Sequence, residues 1–534
     1  MTNNNLYFYK IANSEKEFEQ IHKLNYKTFS EEIPQHQKNS EQKLIDQFHD
    51  QNKYIICLKD EKLVGMVAIR GNRPFSLDKK IGSIEKSLPF FVKNPCEFRL
   101  LAINKELRNG RVLFGLFQFM NKYCLKMGYD IAVISGTVRQ LKLYKQLGFK
   151  PFAQLTGTDG VMFQPMYLTK QTFEESIEER IIQKTLQFLP GPTEISKNVM
   201  TAFCNKPISH RSIDFKEEFE KTKSLLCKLV NCKNVQILLG TGSLANDVVA
   251  AQLSLEKGEG LILSNGEFGN RIIEQANRFG LKFEIIQKEW RESFSKKEII
   301  SKINKKIKWL WVVHSETSTG ILNDIEMLKH IAKEKNIKLC LDCISSIGAI
   351  KLDLSDIFLA TGVSGKGLHG LTGLSFVFHN HNVKPSTKLP KYIDLGYYQL
   401  KDSIPFSHSS NLVEALLVAL ENFSEESIKK VKTTHKFLKN ELIKSGYKII
   451  NKENASPTII TIELPPKISS IILCDLLFYN GYQLHYESNY LTKRNWIQIA
   501  CLNDYDKTDL KRMIQLLKLI TAYELNNNAK TRFN

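Results

Sequence analysis

Seven short apolar runs, "VQILLG", "GLILSN", "KFEIIQ", "KWLWVVHS", "KLCLD", "IFLATGV" and "LSFVFH", recur between Val235 and His379, most of them separated by segments of helical period. Strands this apolar, alternating with helices, suit a mainly parallel sheet covered on both faces, because each strand then buries two sides rather than one. The pattern commits the second half of the chain to an open α/β architecture, whose ligands gather beyond the carboxyl ends of the strands. The residues that follow each run are therefore the first candidates for chemistry.

Three of these endings stand out. After "VQILL" comes "GTGSLANDVVAAQL", where Thr241, Gly242 and Ser243 open an amphipathic helix; its free first-turn N–H groups and positive dipole end suit a phosphate. After "KLCL" comes "DCISS", with Asp342 at the strand end. After "IFLATGV" comes "SGKGLHG", where Lys366 stands between Gly365 and Gly367, residues that permit positive φ and close backbone approach. A buried acid facing a protonated pyridine nitrogen, and a lysine able to form a Schiff base with an aldehyde, are what pyridoxal phosphate needs. Desolvation would lower the pKa of such a lysine and free its amine.

At 534 residues the chain is too long for one typical core. Residues 1–170 carry their own strand-like runs ("LYFYKIA", "YIICL", "LVGMVAIRG", "CEFRLLAIN", "DIAVISG", "VMFQPMYL") between amphipathic helices and are expected to form one α+β domain. A charged, helical linker is expected over 171–187, a large cofactor-binding domain over 188–412, and a smaller α+β domain with "TIITIEL" and "WIQIA" over 413–534. The formal charge of +19 is spread along the whole chain. With no interleaving of aromatic and basic residues, it argues for anionic small molecules rather than nucleic acid. The ten cysteines lie mostly inside apolar runs. Cys340 and Cys343, the one CxxC pair, lack a second ligand pair, so no metal is expected and the cysteines are read as reduced packing residues of a cytoplasmic protein. No apolar run reaches the roughly 18 residues of a membrane span, and "MTNNNLYFYKIANSEKEFEQ" does not read as a signal peptide.

The stretches "PGPTEIS", "HRSIDF", "GTGSLAND", "NGEFGNR", "HSETSTGILNDI", "LDCISSIGA", "SGKGLHGLTGLSFV" and "FSHSSNLVEALLVALE" occur in this order between Leu189 and about Ile520. This region resembles the class V branch of fold type I pyridoxal-phosphate aminotransferases, the alanine–glyoxylate and 2-aminoethylphosphonate transaminase group. The resemblance implies a seven-stranded, mainly parallel large domain with a small α+β domain. It makes Lys366 the Schiff-base lysine, Asp342 the pyridinium partner, Phe268 the ring stacked on the cofactor and Thr317 a contact on its O3' side. Thr241, Gly242 and Ser243 become the phosphate cradle. Ser407 falls where a hydroxyl reaches the phosphate of a neighbouring subunit, which implies a homodimer. Gln498 stands where the family usually has the arginine that grips the substrate carboxylate, and a neutral amide lacks that charged fork. Either Arg211 or Arg494 takes the role, or the substrate lacks that carboxylate.

In the first half, "AINKELRNGRVLFGLFQFMNKYCLKMGYD" followed by "LYKQLGF" resembles the GNAT N-acyltransferase fold. The turn at Arg108, Gly110 and Arg111 fits the family's pyrophosphate loop only in part. It stands closer to relatives that make long-chain N-acyl amino acids or acyl-homoserine lactones. These three residues are the implied acyl-donor contacts, with acyl-CoA or an acyl-carrier protein as donor, and Tyr144 matches the tyrosine that protonates the leaving thiolate. The expected protein is a bifunctional enzyme that transaminates a small amino compound and carbonyl acceptor and transfers an acyl group to nitrogen. The alternative is a pyridoxal-phosphate lyase, decarboxylase or desulfurase with a degenerate acyl-CoA sensor domain.

Overall fold

The computed structural model describes residues 6–33, 35–108, 110–158, 161–176, 185–451 and 453–530. It divides into two compact units, Met1–Leu186 with Asp475–Tyr482, and Gln187–Cys474 with Gln483–Asn534. Of the helical linker expected over 171–187, helix covers Lys170–Ser176, residues 177–184 lie outside the described residues, and Leu186–Phe188 is strand.

The first unit is built on one sheet. Its strands are β1 (Phe8–Ile11), β2 (Lys53–Lys59), β3 (Lys62–Arg70), β4 (Pro95–Ile103), β5 (Ile131–Thr137), β6 (Lys150–Pro151), β7 (Thr156–Thr158) and β8 (Val161–Thr169), in the order β1-β2-β3-β4-β5-β8-β6 with β7 beside β8. Among the described residues of this unit, only β4 and β5 pair in parallel, over Pro95–Glu97 against Ile131–Val133. Beyond that point Leu100 takes a φ of 54°. Groups of both strands, among them Leu100, Leu101, Ser135 and Thr137, then line a cavity of about 620 Å³. Helix α1 (Arg111–Lys126) buries Val112, Leu116, Phe119, Met120 and Tyr123, the face that its 3–4 residue spacing of apolar groups dictates. It starts at Gly110, whose φ of +87° suits glycine.

The seven runs of the second half form one sheet, β9 (Asn234–Leu239), β10 (Glu259–Ser264), β11 (Phe283–Gln287), β12 (Ile307–Val313), β13 (Lys338–Asp342), β14 (Leu359–Val363) and β15 (Leu374–His379). The order is β9-β15-β14-β13-β12-β10-β11, parallel except for β15, which is antiparallel to both neighbours. Alternate residues feed two cores. Ile237, Leu261, Leu310 and Leu339 face one side, while Leu238, Ile262, Trp309 and Cys340 face the other. This two-sided burial explains the nearly unbroken apolar runs. Cys340 and Cys343 are both fully buried and free. The helix Ser410–Glu421 adds Val413, Leu416 and Leu420 to the first of these cores. A three-stranded antiparallel sheet, β16 (Lys448–Ile449), β17 (Ile459–Glu463) and β18 (Trp496–Ala500), forms the centre of the C-terminal lobe. Among the described residues no helix is long and apolar enough to cross a membrane.

Candidate active site

The carboxyl ends of β9, β12, β13 and β14 converge on a cavity of about 540 Å³ whose lining includes Thr241, Gly242, Ser243, Phe268, Asp342 and Lys366. Sequence-distant groups thus meet at one sheet edge. Asp342, the last residue of β13, is 5% exposed and makes no ion pair among the described residues. Its carboxylate accepts hydrogen bonds from Asn246 Nδ2 at 2.8 Å and from the Ile344 N–H at 2.9 Å. Burial pushes its pKa up, and these two donors with the charge of Lys366 pull it down. The Asn246 amide is itself oriented, since its Oδ1 accepts from Thr361 Oγ1 at 2.9 Å.

Lys366 follows β14. Its Nζ donates to Ser345 Oγ at 2.9 Å, and Thr317 Oγ1 donates to the same oxygen at 2.6 Å. Burial lowers the lysine pKa, while Asp342 and Glu316 oppose the shift. The flanking glycines prove necessary for close approach rather than for positive φ. A Cβ on Gly365 would stand 2.6 Å from Thr372 Cγ2, and one on Gly367 would collide with the Ile347 carbonyl oxygen. The left-handed residue of the loop is His369, at a φ of 54°. Thr193, in the "PGPTE" stretch, clamps the loop by donating to the Lys366 carbonyl at 3.0 Å.

Helix α2 (Gly242–Ser254) begins at the cavity with Thr241 as its N-cap, and no side chain caps it. Its first-turn N–H donors are therefore available to an anion. A Cβ on Gly242 would meet Ile344 Cδ1 at 2.5 Å and Val363 Cγ1 at 3.2 Å, so the cradle accepts only glycine there without a shift. Phe268 is the second residue of α3 (Glu267–Arg278), with Lys366 Nζ 5.6 Å from its ring centroid. The start of α3 is anchored by Glu316, fully buried, which accepts from the Phe268 N–H at 3.3 Å and the Gly269 N–H at 3.0 Å. An uncapped helix end, a buried acid with no cationic partner and a desolvated lysine share one cavity. They fit pyridoxal phosphate in phosphate, ring nitrogen and aldehyde respectively.

Gln498 lies in β18. It is fully buried, its Nε2 within bonding distance of the Thr317 and Ser318 carbonyls (2.7 and 3.1 Å) and of Thr461 Oγ1 (2.9 Å), and its Oε1 2.8 Å from His485 Nδ1. Arg494 stacks its guanidinium 3.6 Å from the Trp290 centroid and donates to the Tyr490 carbonyl. Arg211 and Ser407 line a second cavity of about 610 Å³, which shares no lining residue with the first.

In the first unit Tyr144 lines the cavity that opens beyond the β4–β5 pairing, and burial raises its pKa. The same walls carry Glu97, fully buried and hydrogen-bonded by Ser76 and the Leu77 N–H, and Arg99, which forms a two-pronged pair with Asp46 at 2.9 and 3.0 Å. Arg108 and Arg111 are not among its lining residues. Arg108 bonds the Ile103 carbonyl and Glu32, and Arg111 lies over the Tyr7 ring at 4.9 Å. Sequence reasoning missed Asn246, Ser345, Glu316 and the Asp46–Arg99–Glu97 cluster. A signal existed for Asn246, which sits one helical turn after Gly242, and for Glu97, a charge inside the apolar run "CEFRLL".

Residues 192–398 match the aminotransferase class-V family, and residues 20–171 match the N-acyl amino acid synthase FeeM family. The chain is similar to the soluble hydrogenase 42 kDa subunit of Anabaena cylindrica, with 30% identity over 53% of this chain and 79% of the relative. It is also similar to the 2-aminoethylphosphonate–pyruvate transaminase of Lysinibacillus sphaericus, with 24% identity over 64% and 98%. Among solved structures, a subgroup IV aspartate aminotransferase from Thermus thermophilus shares the fold at a TM-score of 0.58 and 23% identity, over 63% of this chain and 99% of that one. The chain therefore belongs to the class-V aminotransferase family, and joins to that domain a first unit of the N-acyl amino acid synthase kind.

Proposed function

We propose that the second unit of this bifunctional transaminase and N-acyltransferase installs an amino group on a carbonyl compound, and that the first unit acylates the amine so formed. The observation that carries the reading is the meeting of Lys366 and Asp342, from adjacent strand ends, in one cavity beside an uncapped helix. Bound pyridoxal phosphate would supply an aldehyde that condenses with amines and a ring that draws off electrons. Asp342, whose pKa burial raises and whose ionised form Asn246 and the Ile344 N–H favour, would hold the proton of the bound ring's nitrogen. The first-turn donors of α2 would hold the phosphate, and Phe268 would shield the bound ring from water. Lys366 Nζ, its ammonium disfavoured by burial and its position set by Ser345, accepts and returns the proton of the reacting carbon.

Ser407 and Arg211 sit in a cavity distinct from that of Lys366 in the same chain. This supports their use toward a neighbouring copy, with Ser407 reaching that copy's phosphate in a homodimer. In the first unit Tyr144, whose proton burial retains, is the acid for the leaving thiolate of an acyl-CoA or acyl-carrier-protein donor. The ten free cysteines suit a reducing, cytoplasmic setting.

The test is to supply purified protein with an amino donor, a carbonyl acceptor and an acyl thioester. Wild type forms the amide, Lys366→Ala loses amine formation, and Tyr144→Phe accumulates free amine. Free amine without amide in the wild-type reaction refutes the coupling.

A further inference from the structure

We infer that Asn480 is a positioning residue for acyl transfer in the first unit, setting through Tyr9 and helix α1 one wall of the cavity that holds Tyr144. This rests on the acyltransferase reading of that unit. The family match behind the reading ends at residue 171, yet the first unit also takes in Asp475–Tyr482 from far along the chain.

β1 stands at one end of the sheet, paired with β2 on one side only among the described residues. Its outer edge would leave the N–H and the carbonyl of Tyr9 with no strand to bond. Asn480 supplies both partners. Its Oδ1 accepts from the Tyr9 N–H at 3.1 Å, and its Nδ2 donates to the Tyr9 carbonyl at 2.8 Å. The side-chain amide thus takes the place of a neighbouring strand's peptide group. Nδ2 also donates to the Leu476 carbonyl at 2.7 Å, which fixes the amide's orientation.

Tyr9 passes this placement on to α1. Its hydroxyl donates to the Arg111 carbonyl at 3.2 Å, and its ring fills the space left by Gly115, where a Cβ would stand 2.1 Å from Tyr9 Cζ. Burial raises the Tyr9 pKa, so the phenol keeps the proton it donates. Farther along the same helix Phe119 meets Tyr479 at 4.6 Å between ring centroids, Lys122 Nζ donates to the Phe478 carbonyl at 2.7 Å, and Lys126 pairs with Asp475. Arg111, Gly115, Phe119, Lys122 and Lys126 follow one another at helical spacing and so share one face of α1. Phe117 and Met120 lie on the opposite face and line the Tyr144 cavity, where Phe98 and Leu101 extend an apolar wall. That wall suits an acyl chain. Its place relative to Tyr144 is set by the face of α1 that rests on Tyr9 and the late segment.

The experiment uses the full-length, cofactor-loaded protein with acetyl, octanoyl and palmitoyl thioesters of coenzyme A and of an acyl-carrier protein, a panel of primary amines, and thiol release as the readout. Asn480→Ala is expected to raise KM for the thioester that wild type uses best about tenfold while kcat changes little, and to leave kcat/KM for transamination unchanged. Tyr9→Phe, which keeps the Asn480 pairing and loses the bond to Arg111, is expected to move KM the same way by about threefold. Hydrogen exchange of the α1 amides is expected to quicken in both. Should Asn480→Ala not fold, Asn480→Asp, which keeps the shape and loses the Nδ2 donor, carries the same expectation. Wild-type KM and exchange in the folded variants, or an equal fall in transamination, overturns the inference alone. A wild-type protein that releases thiol from none of the thioesters overturns the acyltransferase reading, and the inference with it.

Discussion

Replacing Asn246 with alanine removes the amide that donates to Asp342 Oδ2 at 2.8 Å and accepts from Thr361 Oγ1 at 2.9 Å. A hydrogen bond to a charged group contributes about 1.5–3 kcal/mol, and a buried hydroxyl left without a partner costs about 1–3 kcal/mol. The first figure bears on the cofactor, because Asn246 favours the ionised form of Asp342 and only that form attracts a protonated ring nitrogen. At about 1.4 kcal/mol per tenfold change, it corresponds to roughly 10- to 150-fold weaker retention of pyridoxal phosphate. The second falls on folding stability. The sign with pH also follows. Burial already raises the Asp342 pKa, and losing a donor raises it further, so the carboxylate is protonated from a higher pH downward. Titration of the apo protein with pyridoxal phosphate between about pH 5 and pH 9, followed by absorbance, should therefore show an affinity loss that deepens as pH falls and begins at higher pH than in wild type. Wild-type affinity across that range in the Asn246→Ala protein, with Asp342→Ala impaired, would refute the claim that this amide sustains the charge.

Two further outcomes can be checked alongside it. His314, 3% exposed, has its pKa pushed down to about 4 by burial, from an ordinary value near 6.5. Because the folded state holds it neutral, its stabilising contribution is complete above about pH 6.5 and is lost as pH falls towards 4. The shift amounts to about 3 kcal/mol at 1.36 kcal/mol per unit. Urea unfolding at pH 7.5 and 5, a window that spans about 2 kcal/mol of it, should show the loss shrinking in His314→Asn, with the remainder from His379, His408 and His435, which are lowered to about 4 as well. Gly242→Ala forces Ile344 away from a 2.5 Å contact. Overpacking of this kind costs about 1–3 kcal/mol, and cofactor titration should show it as weaker binding, with the secondary structure seen by circular dichroism unchanged.

Much of the fold was legible because strand and helix periods are local. The seven runs from "VQILLG" to "LSFVFH" became the seven strands of one sheet, since residues buried on both faces must be apolar whatever their neighbours are. Lys366, Asp342 and the Thr241–Ser243 turn were legible for a related reason. In such a sheet a strand's end is already a position in space, so a charge placed there is visible before the strands are paired. The expectation that Gly365 and Gly367 relax the backbone was only half met. Their need comes from Thr372 and Ile347, residues whose approach no local pattern encodes.

What the sequence by itself determined was the order of elements and the chemical identity of the groups at their ends, because both depend on residue type and spacing along the chain. Tertiary structure alone decided how those groups act. It set Asn246 against Asp342, drew Glu316 under α3, engaged the Gln498 amide with Thr317 and Ser318, and kept Arg108 and Arg111 off the Tyr144 cavity. Burial and the exchange of hydrogen-bond partners between distant segments fix charge and availability, and neither is a property of any residue taken alone.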